Sequence, residues 1–241
     1  MGCDSYGEDR LRAIFEPHLK NASNDESYIV KDDSFHHLAN VVRVKLGEFV
    51  KIFNGNGLEV TSEVSLIEKK QLKLKFLSVK NHERNRLSID VLIGTPKKEA
   101  LEQCLKQSVE LGVGRIFLAE TAFSQKHFIS TDRQQSLLVS SLEQSNNPFL
   151  PIVEEIKFQE APVANYDQVL LFDSVNKGLA PLRSDSQKIL IVLGPEGGFS
   201  VSELEWWKSH PQTVGIHLPT GIMRTPTALS CAIGFTLGKL N

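Results

Sequence analysis

Two runs near the end of the chain hold the residue types best suited to chemistry: Leu193-Gly194-Pro195-Glu196-Gly197-Gly198-Phe199-Ser200 and, shortly after it, Leu218-Pro219-Thr220-Gly221-Ile222-Met223-Arg224-Thr225. Gly194, Gly197 and Gly198 can take positive φ and let another molecule approach the bare main chain, while Pro195 stiffens the turn. A P-loop needs Lys-Ser or Lys-Thr after its last glycine, and Phe199-Ser200 stand there instead, so that site is excluded. A dinucleotide site places its glycines after the first strand of an α/β domain, which fits poorly with a loop this late in the chain. What remains is a backbone-lined cleft, whose amides and carbonyls can bind an adenine and a ribose without charged side chains. A tight strand-to-helix turn with no ligand is the plain alternative.

The elements around these runs are those such a cleft requires. Lys188 to Leu193 (KILIVL) is a continuous apolar run of strand length that delivers the chain to the glycines. Ser200 with Glu203 three residues on forms a capping box, so a helix carrying Leu204, Trp206 and Trp207 starts directly after them. The two tryptophans read as core or dimer contacts rather than ligand stackers. Val214 to Leu218 is a strand, and Thr225-Pro226 reads as a cap followed by proline at the first position of a helix from Thr227 to Leu240. Upstream, strands at 87–93, 115–119 and 169–172 alternate with helices at 97–111 and from a Thr131 or Asp132 cap to about Ser145. The stripe Leu101, Cys104, Leu105, Ser108 and Val109 faces inward from the first of these helices. This alternation predicts an α/β fold with a mostly parallel sheet covered on both faces.

The first eighty residues read differently. Phe49 to Phe53, the turn Asn54-Gly55-Asn56-Gly57, Leu58 to Leu66 and Gln71 to Val79 suggest a small β-barrel. Ahead of them, Ser34 to Val44 is expected as a short helix running into a strand and carries His36, His37 and Arg43. Arg43 is a candidate phosphate contact. The polar connector Lys80 to Arg86 marks the expected boundary between an N-terminal domain, 1–82, and a second domain, 83–241.

With 27 Lys and Arg against 29 Asp and Glu, bulk charge points to no polyanion, so any nucleic-acid site must be a local basic patch. Cys3, Cys104 and Cys231 are far apart and no His lies in ligand spacing with them, so neither a disulfide framework nor a metal site is expected. A reduced cytoplasm is the expected home. No run reaches membrane-spanning length, and Met1-Gly2-Cys3-Asp4-Ser5-Tyr6 has Tyr6 where a myristoylation pattern wants Ser or Thr.

The glycine run, together with Ile222-Met223-Arg224-Thr225 and Thr227-Ala228, resembles the signature pair of the RsmE-type ribosomal RNA uridine-N3 methyltransferases of the SPOUT, or trefoil-knot, superfamily. Ser108 to Val113, Glu143-Gln144 ahead of a strand at Pro151-Ile152, and His36-His37, Val41, Arg43, Gly47 and Asn54-Gly55 fall in the family's order, so the resemblance spans nearly the whole chain. It implies a PUA-like barrel that helps hold RNA, with Arg43 and Asn54 as contacts. A SPOUT α/β trefoil knot binding S-adenosylmethionine follows, in a homodimer with its active sites at the subunit interface. Leu193, Gly194, Pro195, Glu196, Gly197 and Gly198 would form one wall of the cofactor site, and Leu218, Ile222, Met223, Arg224 and Thr225 the other.

The implied activity is methylation of N3 of a uridine in 16S ribosomal RNA of the small subunit. Arg224, which stays protonated, would stabilise negative charge on a uracil carbonyl as N3 loses its proton. Where the family usually has basic residues the chain has Gln107, Thr121, Asn147 and Gly221, and Pro226 replaces a usual glutamate. These departures keep open a different ribosomal or transfer RNA target, or an RNA-binding homologue without catalysis.

Overall fold

The computed structural model describes residues 12–125, 129–174 and 182–240. Cys3 and the Met1 to Tyr6 pattern lie outside them. The chain divides into two compact units, one of residues up to Glu83 with Leu142–Phe149, the other of Arg84–Ser141 with the remainder from Leu150.

The first unit is a five-stranded mixed sheet in the order β1-β3-β4-β5-β2. Its strands are β1 (Arg12–Phe15), β2 (Ser27–Val30), β3 (Phe49–Phe53), β4 (Leu58–Ile67) and β5 (Leu72–Asn81). β1 runs parallel to β3 and the other neighbours are antiparallel. Alternation in β4 and β5 turns Val60, Val64, Leu72, Leu74 and Phe76 onto one core with Val30, Leu38 and Ile52. The expected barrel is thus a half-barrel whose edges are β1 and β2.

The stretch 34–44 corrects its expectation. A short helix α1 (Asp32–His36) passes into a wider helical turn, His37–Val42, ended by Arg43 at φ 58°. No strand follows before β3, because Val44 N–H returns to Leu38 O (3.0 Å) and Gly47 turns the chain at φ 84°.

The second unit is a six-stranded sheet in the order β11-β9-β10-β6-β7-β8, parallel at every pairing. In chain order it comprises β6 (Ser88–Gly94), α2 (Lys98–Glu110), β7 (Arg115–Glu120), α3 (Thr131–Ser145), β8 (Ile152–Lys157), β9 (Gln168–Phe172), β10 (Lys188–Leu193), α4 (Val201–Lys208), β11 (Thr213–Ile216) and α5 (Thr225–Leu240). β10 lies between β9 and β6 with both faces covered, which is why its sequence is continuously apolar rather than alternating. On one face Leu92, Leu171, Leu190 and Val192 pack with Phe199 and the fully buried Trp207 of α4. On the other, α5 lies against β10 and α2. All five residues of the α2 stripe are buried. Trp206 packs edge-on to Phe158 (5.3 Å) and to Trp207 (4.8 Å), so the tryptophan pair belongs to the core.

Two helix starts differ from expectation. Ser130, not Thr131 or Asp132, caps α3, its Oγ accepting from Arg133 N–H (3.3 Å). Thr225 is already helical: Ala228 N–H donates to Arg224 O (2.9 Å), which makes Arg224 the capping residue and puts Pro226 at the second helical position. A proline is tolerated there because N–H groups of the first turn have no partner within the helix. Among the described residues, no helix is long and apolar enough to cross a membrane.

Candidate cofactor and active site

β11, β9 and β10 run side by side in one direction, so the segments leaving their carboxyl ends meet at a single edge of the sheet, where α/β folds bind ligands. From β10 comes the glycine loop, from β9 Asp173-Ser174, and from β11 His217-Leu218. They enclose a cleft of about 500 Å3, completed by residues 220–223 and by Thr225 and Ala228 of α5.

The loop's shape is fixed by its own backbone and by two braces. Gly198 N–H donates to Pro195 O (2.9 Å), closing a turn with Gly198 at φ 70°. A Cβ on Gly194 would stand 2.9 Å from Gly198 backbone carbon, and one on Gly197 would stand 2.9 Å from Phe123 Cβ, so neither position has room for a side chain. Glu196 Oε1 accepts from Lys97 N–H (3.1 Å), bracing the loop on the β6–α2 connection. Beyond the loop, Glu203 forms the capping box with Ser200, and its carboxylate also takes Ala122 N–H (2.7 Å), which fixes the connection carrying Phe123. Burial and Glu196 push the Cys104 thiol up to about 12, so this cysteine stays protonated and is no nucleophile.

Leu193, Gly194, Pro195, Glu196, Gly197 and Gly198 line one side of the cleft, and Leu218, Ile222, Met223 and Thr225 line the other. Ile222 is 97 % exposed and stands at the open rim. Arg224 lies between lining residues yet is not one of them, and its side chain is exposed. Arg43 and Asn54 belong to the first unit. Arg43 is exposed in the left-handed conformation. Asn54 is occupied by its own turn: Oδ1 accepts from the N–H groups of Asn56 (2.8 Å) and Leu58 (3.1 Å), and Nδ2 donates to Leu19 O.

Sequence reasoning missed the contribution of the neighbouring strands. Phe172, Asp173, Ser174, Ile216 and His217 all line the cleft. The signal was their place just at or after a strand's last residue, but it becomes readable only once β9 and β11 are known to adjoin β10. Asp173, Glu196 and His217 are the ionisable side chains that line the cleft, among the described residues.

Comparison with known proteins agrees with this architecture. Residues 83–236 match the family model of an RNA methyltransferase domain, and residues 30–77 match that of an RNA methyltransferase PUA domain. Among relatives, the ribosomal RNA small subunit methyltransferase E of Rickettsia conorii is 25% identical over 218 residues, covering 88% of this chain and 89% of that protein. The protein of the same name from Helicobacter pylori strain 26695 is 28% identical over 208 residues, covering 82% and 88%. The crystal structure of ribosomal RNA small subunit methyltransferase E from Neisseria gonorrhoeae, bound to S-adenosyl methionine, superposes with a TM-score of 0.82 over 95% of this chain and 97% of that one at 24% identity, a likeness of fold. The fold is therefore a PUA-like half-barrel unit followed by a parallel-sheet α/β unit, and the chain belongs to the RNA methyltransferase domain family.

Proposed function

We propose that the protein transfers a methyl group from S-adenosylmethionine to N3 of a uridine in 16S ribosomal RNA. The observation that carries this reading is the cleft at the carboxyl ends of β9, β10 and β11, walled by both motif runs within a matched RNA methyltransferase domain. The names of the relatives support a small-subunit ribosomal RNA target.

The cleft suits such a cofactor. Its volume of about 500 Å3 falls within the ~300–1,000 Å3 common for small-molecule sites. Phe172, Leu193 and Ile216 offer apolar surface to a purine, and Gly194 and Gly197 present bare main chain in a loop that a Cβ at either position would distort. S-adenosylmethionine supplies a methyl group on a sulfonium. Holding that group in line with the acceptor nitrogen is the chain's largest task, because near-attack geometry can remove about 7–11 kcal/mol of barrier. The walls 193–198 and 218–225 provide this hold. Arg224 stabilises negative charge on the uracil carbonyl as the N3 proton leaves. Its exposure outside the cleft lining favours contact with the acceptor base over contact with the cofactor. The working form is a homodimer in the cytoplasm, Arg43 contacts an RNA phosphate, and Asn54 shapes the turn that accompanies it.

Calorimetry with S-adenosylmethionine and nucleoside mapping of ribosomal RNA from a deletion strain test the reading. Saturable binding and loss of one N3-methyluridine are expected. No binding by folded protein would sink it, and loss of a different mark would reassign the target. Arg224→Ala should lower turnover about 10²–10³-fold, as removal of a charge-stabilising donor does, with cofactor affinity nearly unchanged. Unchanged turnover would remove Arg224 from the mechanism.

A further inference from the structure

We infer that Phe123 is a stacking platform for a nucleobase of the acceptor RNA at the rim of the cleft, a part of the site that neither motif run supplies. The inference rests on the RNA methyltransferase reading above and names a residue that positions the strand. Phe123 is 50 % exposed. A single exposed apolar side chain is ordinary, and what distinguishes this one is the fixity of the turn that presents it. Thr121 N–H donates to Ser124 Oγ (3.0 Å), Ser124 N–H returns to Thr121 O (3.1 Å), and Ser124 Oγ donates to Ala119 O (3.0 Å). Glu203 takes Ala122 N–H, and Gln125 N–H donates to Thr95 O (2.9 Å). The turn is thus fastened on both sides of the ring. A phenyl group is held out to water on a backbone already ordered, so a planar group landing on it loses little to further ordering.

The ring adjoins the cleft. Phe123 Cβ lies 2.9 Å and Cγ 3.1 Å from where a Cβ on Gly197 would stand, so the side chain springs from beside an exposed residue that also lines the cleft. Cations stand at the same rim. Lys97 is joined to Glu196 through its own N–H, and the side chains of Lys97 and Lys98 are exposed at the start of α2. An aromatic face with lysines near it is what a single RNA strand needs, since bases stack on the ring and ammonium groups meet the phosphates. These lysines also answer to the local basic patch that a balanced bulk charge requires of a nucleic-acid site. A second protein surface is the poorer occupant, because Lys97, Lys98 and Glu196 are of the types depleted from the core of protein interfaces.

The test uses the full chain and two ligands that separate stacking from charge. Fluorescence anisotropy compares a labelled oligouridylate with an abasic ribose-phosphate strand of the same length, on the wild type, Phe123→Leu and Phe123→Tyr. The leucine keeps apolar bulk without a ring, and the tyrosine keeps the ring. The wild type and Phe123→Tyr should prefer the strand with bases about 5- to 100-fold, and Phe123→Leu less than about threefold. In methyl transfer to small-subunit ribosomal RNA from a deletion strain, Phe123→Leu should raise KM for RNA by a similar factor, with kcat and S-adenosylmethionine affinity nearly unchanged, and Phe123→Tyr should restore it. A wild type that binds both strands equally, or a folded Phe123→Leu with wild-type preference or KM, overturns the role of Phe123. So does sedimentation showing that Phe123→Leu alters only the association of subunits. A wild type that transfers no methyl group to this RNA overturns the activity reading above, and the strand comparison still decides Phe123. If Phe123→Leu does not fold, Phe123→Met replaces it.

Discussion

At the scale of single residues, what separates Gly194 and Gly197 from Gly221 is what surrounds them, since none of the three has a positive φ. A methyl group on Gly194 would meet Gly198 backbone at 2.9 Å, and backbone in a closed turn has nowhere to go. On Gly197 the obstacle at 2.9 Å is the Phe123 side chain, part of a connection already fastened by Glu203. Gly221, across the cleft, has nothing within 4 Å and no positive φ. Gly194→Ala should therefore weaken S-adenosylmethionine binding by about tenfold or more, since overpacking a tight site costs about 1–3 kcal/mol. Gly221→Ala should leave affinity within about twofold on the same reasoning from open space. Calorimetry on both variants checks the contrast, and equal effects would show that the loop yields more easily than its turn geometry implies. These glycines were legible as residue types from sequence alone. Asp173 and His217 were not, because nothing in the order of residues says that the ends of β9 and β11 flank the end of β10.

At the scale of elements, the strong periodicities were legible and the short, singly paired elements were not. β10 read as a strand because burial on both faces makes it apolar from Ile189 to Leu193, β6 because of its apolar run Val91 to Ile93, and the α2 stripe was correct at each of its five positions. β1 and β2 have four residues each and sit at sheet edges, where one neighbour supplies the hydrogen bonds and the side chains carry little pattern. β11 ends at Ile216 rather than Leu218, because His217 and Leu218 turn into the cleft. The misread helix starts have different causes: at α3, Ser130, Thr131 and Asp132 stand in a row and only geometry shows which oxygen meets the free N–H groups, whereas α5 is capped by Arg224, which no capping preference points to. The capping box of Ser200 and Glu203 was readable, but its further reach was not. Glu203 is 3 % exposed and binds both Ser200 N–H and Ala122 N–H at 2.7 Å, tying α4 to the connection beside the glycine loop. Glu203→Gln keeps one acceptor and turns the other into a donor, leaving a buried N–H unpaired. The expected cost is about 1–3 kcal/mol, or a fall in melting temperature of about 2–12 °C for a chain of this size. Cofactor affinity should fall with it, because the loop's outer brace is loosened. A variant with wild-type melting and affinity would show the second bond to be idle.

At the scale of the whole molecule, α3 is divided: its last turn and the residues after it, Leu142–Phe149, group with the β-rich first unit, although the helix begins in the second. This division was not legible, since the boundary expected in the connector near residue 83 follows a change of pattern and α3 shows none. The fastening in the first unit includes Glu143, whose Oε1 accepts from Phe15 N–H of β1 (3.1 Å). Burial first, and then the neighbouring Glu16 carboxylate, push Glu143 up to about 7 from an ordinary 4.5, against the opposing pull of the Phe15 N–H. A carboxyl whose folded value is raised holds its proton in the folded state over a range where the unfolded chain has released it. Its contribution to stability is thus complete below about 4.5 and is lost as pH rises through about 7. Glu143→Gln keeps an oxygen for Phe15 N–H and removes the ionisation. The variant's melting temperature should therefore gain on the wild type as pH is raised from 5 to about 7, with the difference levelling off between 7 and 8.5. Thermal unfolding of both proteins across that range decides the matter, and a pH-independent difference would mean that Glu143 is already ionised in the folded protein at pH 5.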